Sequence, residues 1–219
     1  MNHKAALIVS VFALIFFAGI AGFGFGGGAV ETNQRVETLG QGGVGTTTYA
    51  ADPVHSNVIF KIRHGTVTNF YGRFNQVDGT IEFDEDAEII TEMSFKIPVS
   101  SVDTNSRTRD GHIKGAEFFN FRQYPWITFE SSSIKPNGEG SFILKGTLSL
   151  HGVTKEIEAT LDQVRTGIFR DNEVLGFEAR FTILRSDYGI MKYLADDLSE
   201  SGPLGNRVDL IVAIESVIQ

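Results

Sequence analysis

The sequence predicts an all-β protein: a single antiparallel β-barrel with one short helix, preceded by an N-terminal hydrophobic helix. Three observations lead there. From Tyr49 onward apolar residues recur with period two along short stretches, the spacing of strands with one buried face. Turn residues such as Lys135-Pro-Asn-Gly138 separate these stretches. Seven or eight strands with one helix suit a sandwich or a barrel, and the number of large apolar residues on inward positions selects the barrel.

The N-terminal segment comes first. Lys4 is the only charged side chain before Glu31, and Ser10 is the only strongly polar residue between Ala5 and Val30. Leu7–Phe17 suits the apolar core of a signal peptide, and the apolar continuation to Val30 reaches the length of a spanning helix. Residues 1–30 are therefore read as a signal peptide or a membrane anchor. The positive charge before this run and the negative charge after it keep the N-terminus in the cytoplasm. The rest of the chain is then extracytoplasmic, tethered to the membrane or released by cleavage. Residues 31–48, polar and rich in Gly and Thr, read as a flexible linker, and residues 49–219 as one domain.

Within the domain, Asn57–His64 puts Val58, Phe60, Ile62 and His64 on one face. Val77, Ile81 and Phe83 share a face, as do Met93, Phe95, Ile97 and Val99. The stretch Ile127–Ile134 turns at Pro136-Asn-Gly138 into Phe142, Leu144, Leu148 and Leu150. Ile157, Ala159 and Leu161 follow, then Leu175, Phe177, Ala179, Phe181 and Ile183, and a last strand over Val208–Val217. The helix is expected over Ser106–Phe119, with Asp103-Thr-Asn105 supplying its N-cap.

Composition excludes several function classes. The chain has no Cys, which removes disulfides, thiolate metal sites, iron–sulfur clusters and thiol catalysis. A net charge of -8 argues against an electrostatic nucleic-acid binder. His55, His64, His112 and His151 lie too far apart in sequence to show metal-ligand spacing, and no nucleophile motif or phosphate loop is present. No catalytic residue, metal ligand or cofactor is nominated. Alternation places His64 on the apolar face, either as a structural side chain beside Arg63 or as a donor to a ligand head group. Arg109 and Asp110 read as ion-pairing residues that fix the helix to the barrel. Phe118 and Phe119 are a plug or a pocket wall, and Gly189 supplies a strand-end turn.

Several stretches together resemble the YceI family of polyisoprenoid-binding proteins. They are Asp52-Pro-Val-His-Ser56, Arg63-His64, Gly72-Arg-Phe74, Ser101-Val-Asp-Thr-Asn105, and Arg109-Asp110 with His112. Phe118-Phe119, Tyr124-Pro125, Ile127-Thr-Phe-Glu130, Leu148–Lys155, Arg185–Ile190 and Val208–Glu215 follow in family order. The resemblance covers Tyr49 to Ile218. It implies a lipocalin-like barrel that binds, carries or stores a polyisoprenoid lipid, such as an isoprenoid quinone or a similar amphiphile, without catalysis. It also implies a bacterial periplasmic or extracytoplasmic location. Two places depart from the pattern: Asn206 replaces a common acidic residue, and Met191–Pro203 is poorly matched.

An isoprenoid tail asks for a long dry cavity, because it offers only apolar surface. The expected pocket is Phe60, Ile62, His64, Phe74, Phe95, Phe119, Phe121, Phe129, Leu144, Phe177 and Phe181. Two other readings stay open at this level: an enzyme acting on an isoprenoid lipid, and an interaction module with a solid core. The oligomeric state, monomer or homodimer, is also open. Alternation does not separate a filled barrel from a hollow one.

Overall fold

A computed structural model describes residues 45–219; the expected N-terminal hydrophobic helix and most of the expected linker lie outside the described residues. The strands are β1 (Thr46–Ala51), β2 (Asn57–His64), β3 (Thr68–Phe74), β4 (Asp78–Asp84), β5 (Ile89–Pro98) and the two-residue β6 (Val102–Asp103). After the helix α1 (Arg107–Ile113) come β7 (Trp126–Pro136), β8 (Phe142–Leu150), β9 (Val153–Phe169), β10 (Asn172–Leu184) and β11 (Leu204–Ile218). Every pairing is antiparallel, in the order β1-β4-β5-β7-β8-β9-β10-β11-β2-β3-β6, and β1 also pairs with β11.

That last pairing closes the sheet. Ala51 lies opposite Ser216 and Asn57 opposite Ala213, so β1 and β2 run end to end along β11. β3 and β4 return beside them in the same way, Val58 opposite Phe74 and Tyr49 opposite Ile81. Taken as continuous runs, the ring is an eight-stranded antiparallel barrel with one helix. Closure leaves no long unpaired edge, which is how a sheet of this length escapes edge-to-edge association.

The two ends differ. At the far end Tyr49, Ile81 and Met93 are cross-strand neighbours, and with Leu175 they are almost wholly buried. The other end is where β2, β5, β8 and β10 finish. There the β2–β3 turn, α1 with the segment after it, and the connection from β10 to β11 crowd together. Gly65 N–H donates to Pro203 O at 2.8 Å, tying the β2–β3 turn to that connection. Among the described residues no helix is long and apolar enough to cross a membrane.

Three expectations about elements shift. The first strand begins at Thr46, inside the expected linker, because Thr46–Ala50 pair with Thr80–Asp84. The helix is shorter than expected, ending at Ile113, and its N-cap is Ser106, whose Oγ accepts from Arg109 N–H. Asp103 instead accepts from Asn105 N–H at 2.9 Å, closing the turn before the cap. Past Ile113 the chain breaks into tight turns, with Gly115 N–H on His112 O and Asn120 at φ 47°. β3 has no period-two signal in the sequence, because one of its inward positions is a glycine, Gly72.

Candidate lipid cavity

The inward faces enclose a cavity of about 620 Å3 that opens at the α1 end. β2 contributes Phe60, Ile62 and His64; β3 contributes Phe74; β5 and β7 contribute Phe95 and Phe129. Leu144 of β8 and Phe177 and Phe181 of β10 complete the opposite wall, and Phe119 reaches in from the segment after α1. Ten of the eleven expected pocket residues thus line one cavity. The eleventh, Phe121, does not. The chain reverses at Asn120, Phe121 N–H bonds Lys114 O at 3.0 Å, and the ring packs half-buried against the core from outside the cavity.

Rings organise the wall. Phe60 and Phe74 stand 5.9 Å apart, Phe74 and Phe119 5.7 Å, and Phe95 and Phe177 6.3 Å between centroids, all tilted or edge-on. Phe118 also lines the cavity and stacks edge-on with His112 at 5.2 Å. Both members of the Phe118-Phe119 pair are therefore wall residues.

The polar lining gathers at the mouth: His64, Thr68, Arg109, His112, Arg185 and Tyr193. No Asp or Glu is among the lining residues, so His64 has no acidic partner inside the cavity. His64 is exposed, and no side-chain hydrogen bond holds it among the described residues. Sequence reasoning missed Thr68, Phe70, Arg109, His112 and Tyr193 as lining residues: Thr68 and Phe70 sit on β3, whose alternation Gly72 interrupts, Arg109 and His112 come from α1, and Tyr193 from the poorly matched loop.

Arg109 and Asp110 do not make the expected ion pairs with the barrel. Both converge on Thr104: Asp110 Oδ1 accepts from Thr104 N–H at 2.9 Å, and Arg109 Nε–H donates to Thr104 Oγ1 at 2.9 Å. The Arg109 guanidinium then lies over the Phe70 ring at 4.5 Å. The helix is fixed by its own preceding segment and by one stacked cation.

Arg185 is the most deeply buried charge at the mouth. Its guanidinium donates to Gly205 O at 2.7 Å, Leu204 O at 3.0 Å, Lys192 O at 2.6 Å and Ile190 O at 3.2 Å. Burial pushes it down to about 10, against the pull of Glu200. Its donors are used on backbone, so it shapes the mouth rather than presenting free donors to a ligand. Asn206, the departure from the family pattern, accepts from Ser186 N–H at 3.0 Å and donates to Leu198 O at 3.1 Å. Gly189 follows at φ 71°, a left-handed position suited to glycine. The poorly matched loop contributes Tyr193 and Pro203 to the lining.

Away from the cavity, Asp52, His55 and Glu215 converge on the outside of the β1–β2 corner. His55 Nδ1 lies 2.8 Å from Asp52 Oδ2 and 3.6 Å from Glu215 Oε1. The Asp52 hydrogen bond holds the imidazole above its usual pKa range. Ser56 Oγ bonds both Glu215 O and Glu215 N–H, so the cluster fastens the corner to β11.

Comparison with known proteins agrees with this architecture. The family model for the YceI-like domain matches residues 49–216. A UPF0312 protein of Yersinia pestis (strain Pestoides F) is 33% identical, the match covering 99% of this chain and 98% of that protein. The Campylobacter jejuni YCEI protein superposes with a TM-score of 0.62 at 26% identity, over 73% of this chain and 91% of that one. A polyisoprenoid binding domain from Saccharophagus degradans superposes with a TM-score of 0.60 at 18% identity, over 79% and 99%. With closed barrel, single helix and family match all in place, this chain belongs to the YceI-like domain family.

Proposed function

We propose that the barrel binds, and so carries or stores, a long-chain isoprenoid lipid or a similar amphiphile without transforming it. The observation that carries this reading is the cavity of about 620 Å3, walled by phenylalanine and aliphatic side chains, with polar groups confined to its mouth. Burying apolar tail there gains about 0.8 kcal/mol per methylene without specific hydrogen bonds. A tail inside and a polar head at the mouth is the orientation that satisfies both ends. The related fold of the Saccharophagus degradans polyisoprenoid binding domain supports the same ligand class. The absence of carboxylates from the lining supports a non-catalytic role, since general acid–base work at His64 would need a partner.

The extracytoplasmic location belongs to the same proposal, and rests on the apolar run before residue 30 and the charge step from Lys4 to Glu31. Two measurements test the whole. Lipid extracted from the purified full chain is identified by mass spectrometry, and uptake of an isoprenoid quinone is titrated. Recovery of no lipid, with no uptake of added quinone, overturns the binding reading. Cell fractionation with N-terminal sequencing decides between anchor, cleaved secretion and retention in the cytoplasm.

A further inference from the structure

Three of the cavity's phenylalanines each lie across a glycine. Phe60 faces Gly72 in register on β2 and β3, and Phe95 faces Gly79 in register on β5 and β4. Phe129 of β7 covers Gly146 of β8. Directly opposed residues on paired strands point to the same face, so Gly72 and Gly79 occupy inward positions that carry no side chain. The rings fill that space. A Cβ at Gly72 would stand 2.3 Å from the Phe60 Cζ, one at Gly79 2.2 Å from the Phe95 Cδ1, and one at Gly146 2.4 Å from the Phe129 Cζ.

We propose that Gly72, Gly79 and Gly146 set the bore of the cavity by letting Phe60, Phe95 and Phe129 lie flat against the wall. An eight-stranded barrel holds just enough room for its own inward side chains, unless something withdraws them. Here the glycines withdraw three of the largest. Between 2.3 Å and ordinary contact at 3.4 Å lies about 1.1 Å; with the sheet behind it, the Phe60 ring recovers that distance by moving toward the lumen. That narrowing falls where a tail would pass. A methyl-branched isoprenoid chain is wider than a straight polymethylene chain, so the glycines decide whether the lumen admits the branched class. Gly72 gives the cleanest test, because only the Phe60 ring opposes its Cβ, whereas Gly79 and Gly146 also face a backbone oxygen.

The inference rests on the binding reading above, and the experiment separates the two. The full-length chain and its Gly72→Ala and Gly72→Ala/Phe60→Leu variants are titrated with geranylgeraniol, a branched probe, and with a straight-chain fluorescent fatty acid. Gly72→Ala should weaken geranylgeraniol by at least about tenfold and the straight chain much less. The double variant, which removes the opposing ring, should restore the branched probe. Unchanged geranylgeraniol affinity in Gly72→Ala overturns the proposal, and so does a double variant that fails to recover. If the unaltered protein takes up neither probe, the binding reading falls. A crystal structure of Gly72→Ala then decides the bore: a Phe60 ring moved into the lumen upholds it, and an unmoved ring overturns it.

Discussion

The Tyr49 hydroxyl donates to Glu173 Oε1 at 2.9 Å across the far end of the barrel, with Glu85 Oε1 at 3.2 Å on its other side. One phenol on β1 thus joins the start of β10 to the β4–β5 turn, where the cavity is closed off. Burial, reinforced by the two carboxylates, holds the phenol well above the usual tyrosine range. Tyr49→Phe removes the donor and leaves both carboxylates facing each other. It should cost about 1 kcal/mol in urea unfolding at neutral pH, with uptake at the opposite end unchanged. Because the folded pKa is raised, this contribution is complete below about pH 10 and declines above it. The gap between Tyr49→Phe and the unaltered chain should therefore shrink in alkali.

Asp209 anchors an outer ladder across three strands. Its cross-strand neighbours are Lys61 on β2 and Thr182 on β10. Lys61 Nζ lies 2.7 Å away, and Arg207 Nε 2.8 Å away on the same strand. Burial alone would push the carboxyl up; the bonds from Lys61, Thr182 and Arg207 outweigh it and bring it down to about 2. A depressed carboxyl contributes stability above its unfolded value, near 3.8, and loses it as pH falls toward 2. Asp209→Asn should lower stability by about 1–2 kcal/mol at pH 7, allowing for its partial exposure. Unfolding curves at pH 7, 4 and 2 should converge with those of the unaltered chain at the acid end.

Arg185 satisfies four backbone carbonyls with one side chain. Arg185→Met keeps much of the volume and leaves those oxygens without their donor. The expected loss is about 3 kcal/mol or more, with the residues 189–205 connection loosening first. Hydrogen exchange should show lost protection there before any change in β4 or β5. Uniform loss across the barrel would contradict this local role.

Phe60→Asp should abolish ligand uptake, since it places a carboxylate in an apolar wall. Trp126→Asp, at an exposed site outside the cavity, serves as the control and should bind normally. His64→Leu should leave unfolding within about 0.5 kcal/mol, because no hydrogen bond is lost. If His64 meets the head group, it should weaken a quinone by a few-fold and leave a headless hydrocarbon unaffected. Equal weakening of both would remove His64 from head-group recognition.

The fold class was legible because alternation is a local property, and β2, β5, β8 and β10 carry it plainly. β3 was not legible, since Gly72 interrupts the apolar set that alternation needs. The extension of β9 through Gln163–Phe169 escaped for a related reason: the strand turns irregular at Gln163, at φ 59°, so the alternation of Ile157, Ala159 and Leu161 breaks off there, and most of the residues that follow are exposed. Phe121 was misplaced because the reversal at Asn120 depends on turns formed against Ile113, Lys114 and Gly115, contacts that no periodicity encodes.

Composition and order along the chain determined an antiparallel barrel, its inward residues on regular strands and the family they resemble. Tertiary structure alone decided whether that barrel is filled. The identity of the inward phenylalanines is the same in a solid core and in a hollow one. Which of the two forms depends on where each ring lies relative to its neighbour strand, and so on the placing of Gly72, Gly79 and Gly146 opposite Phe60, Phe95 and Phe129. Those juxtapositions exist only once the strands are in register.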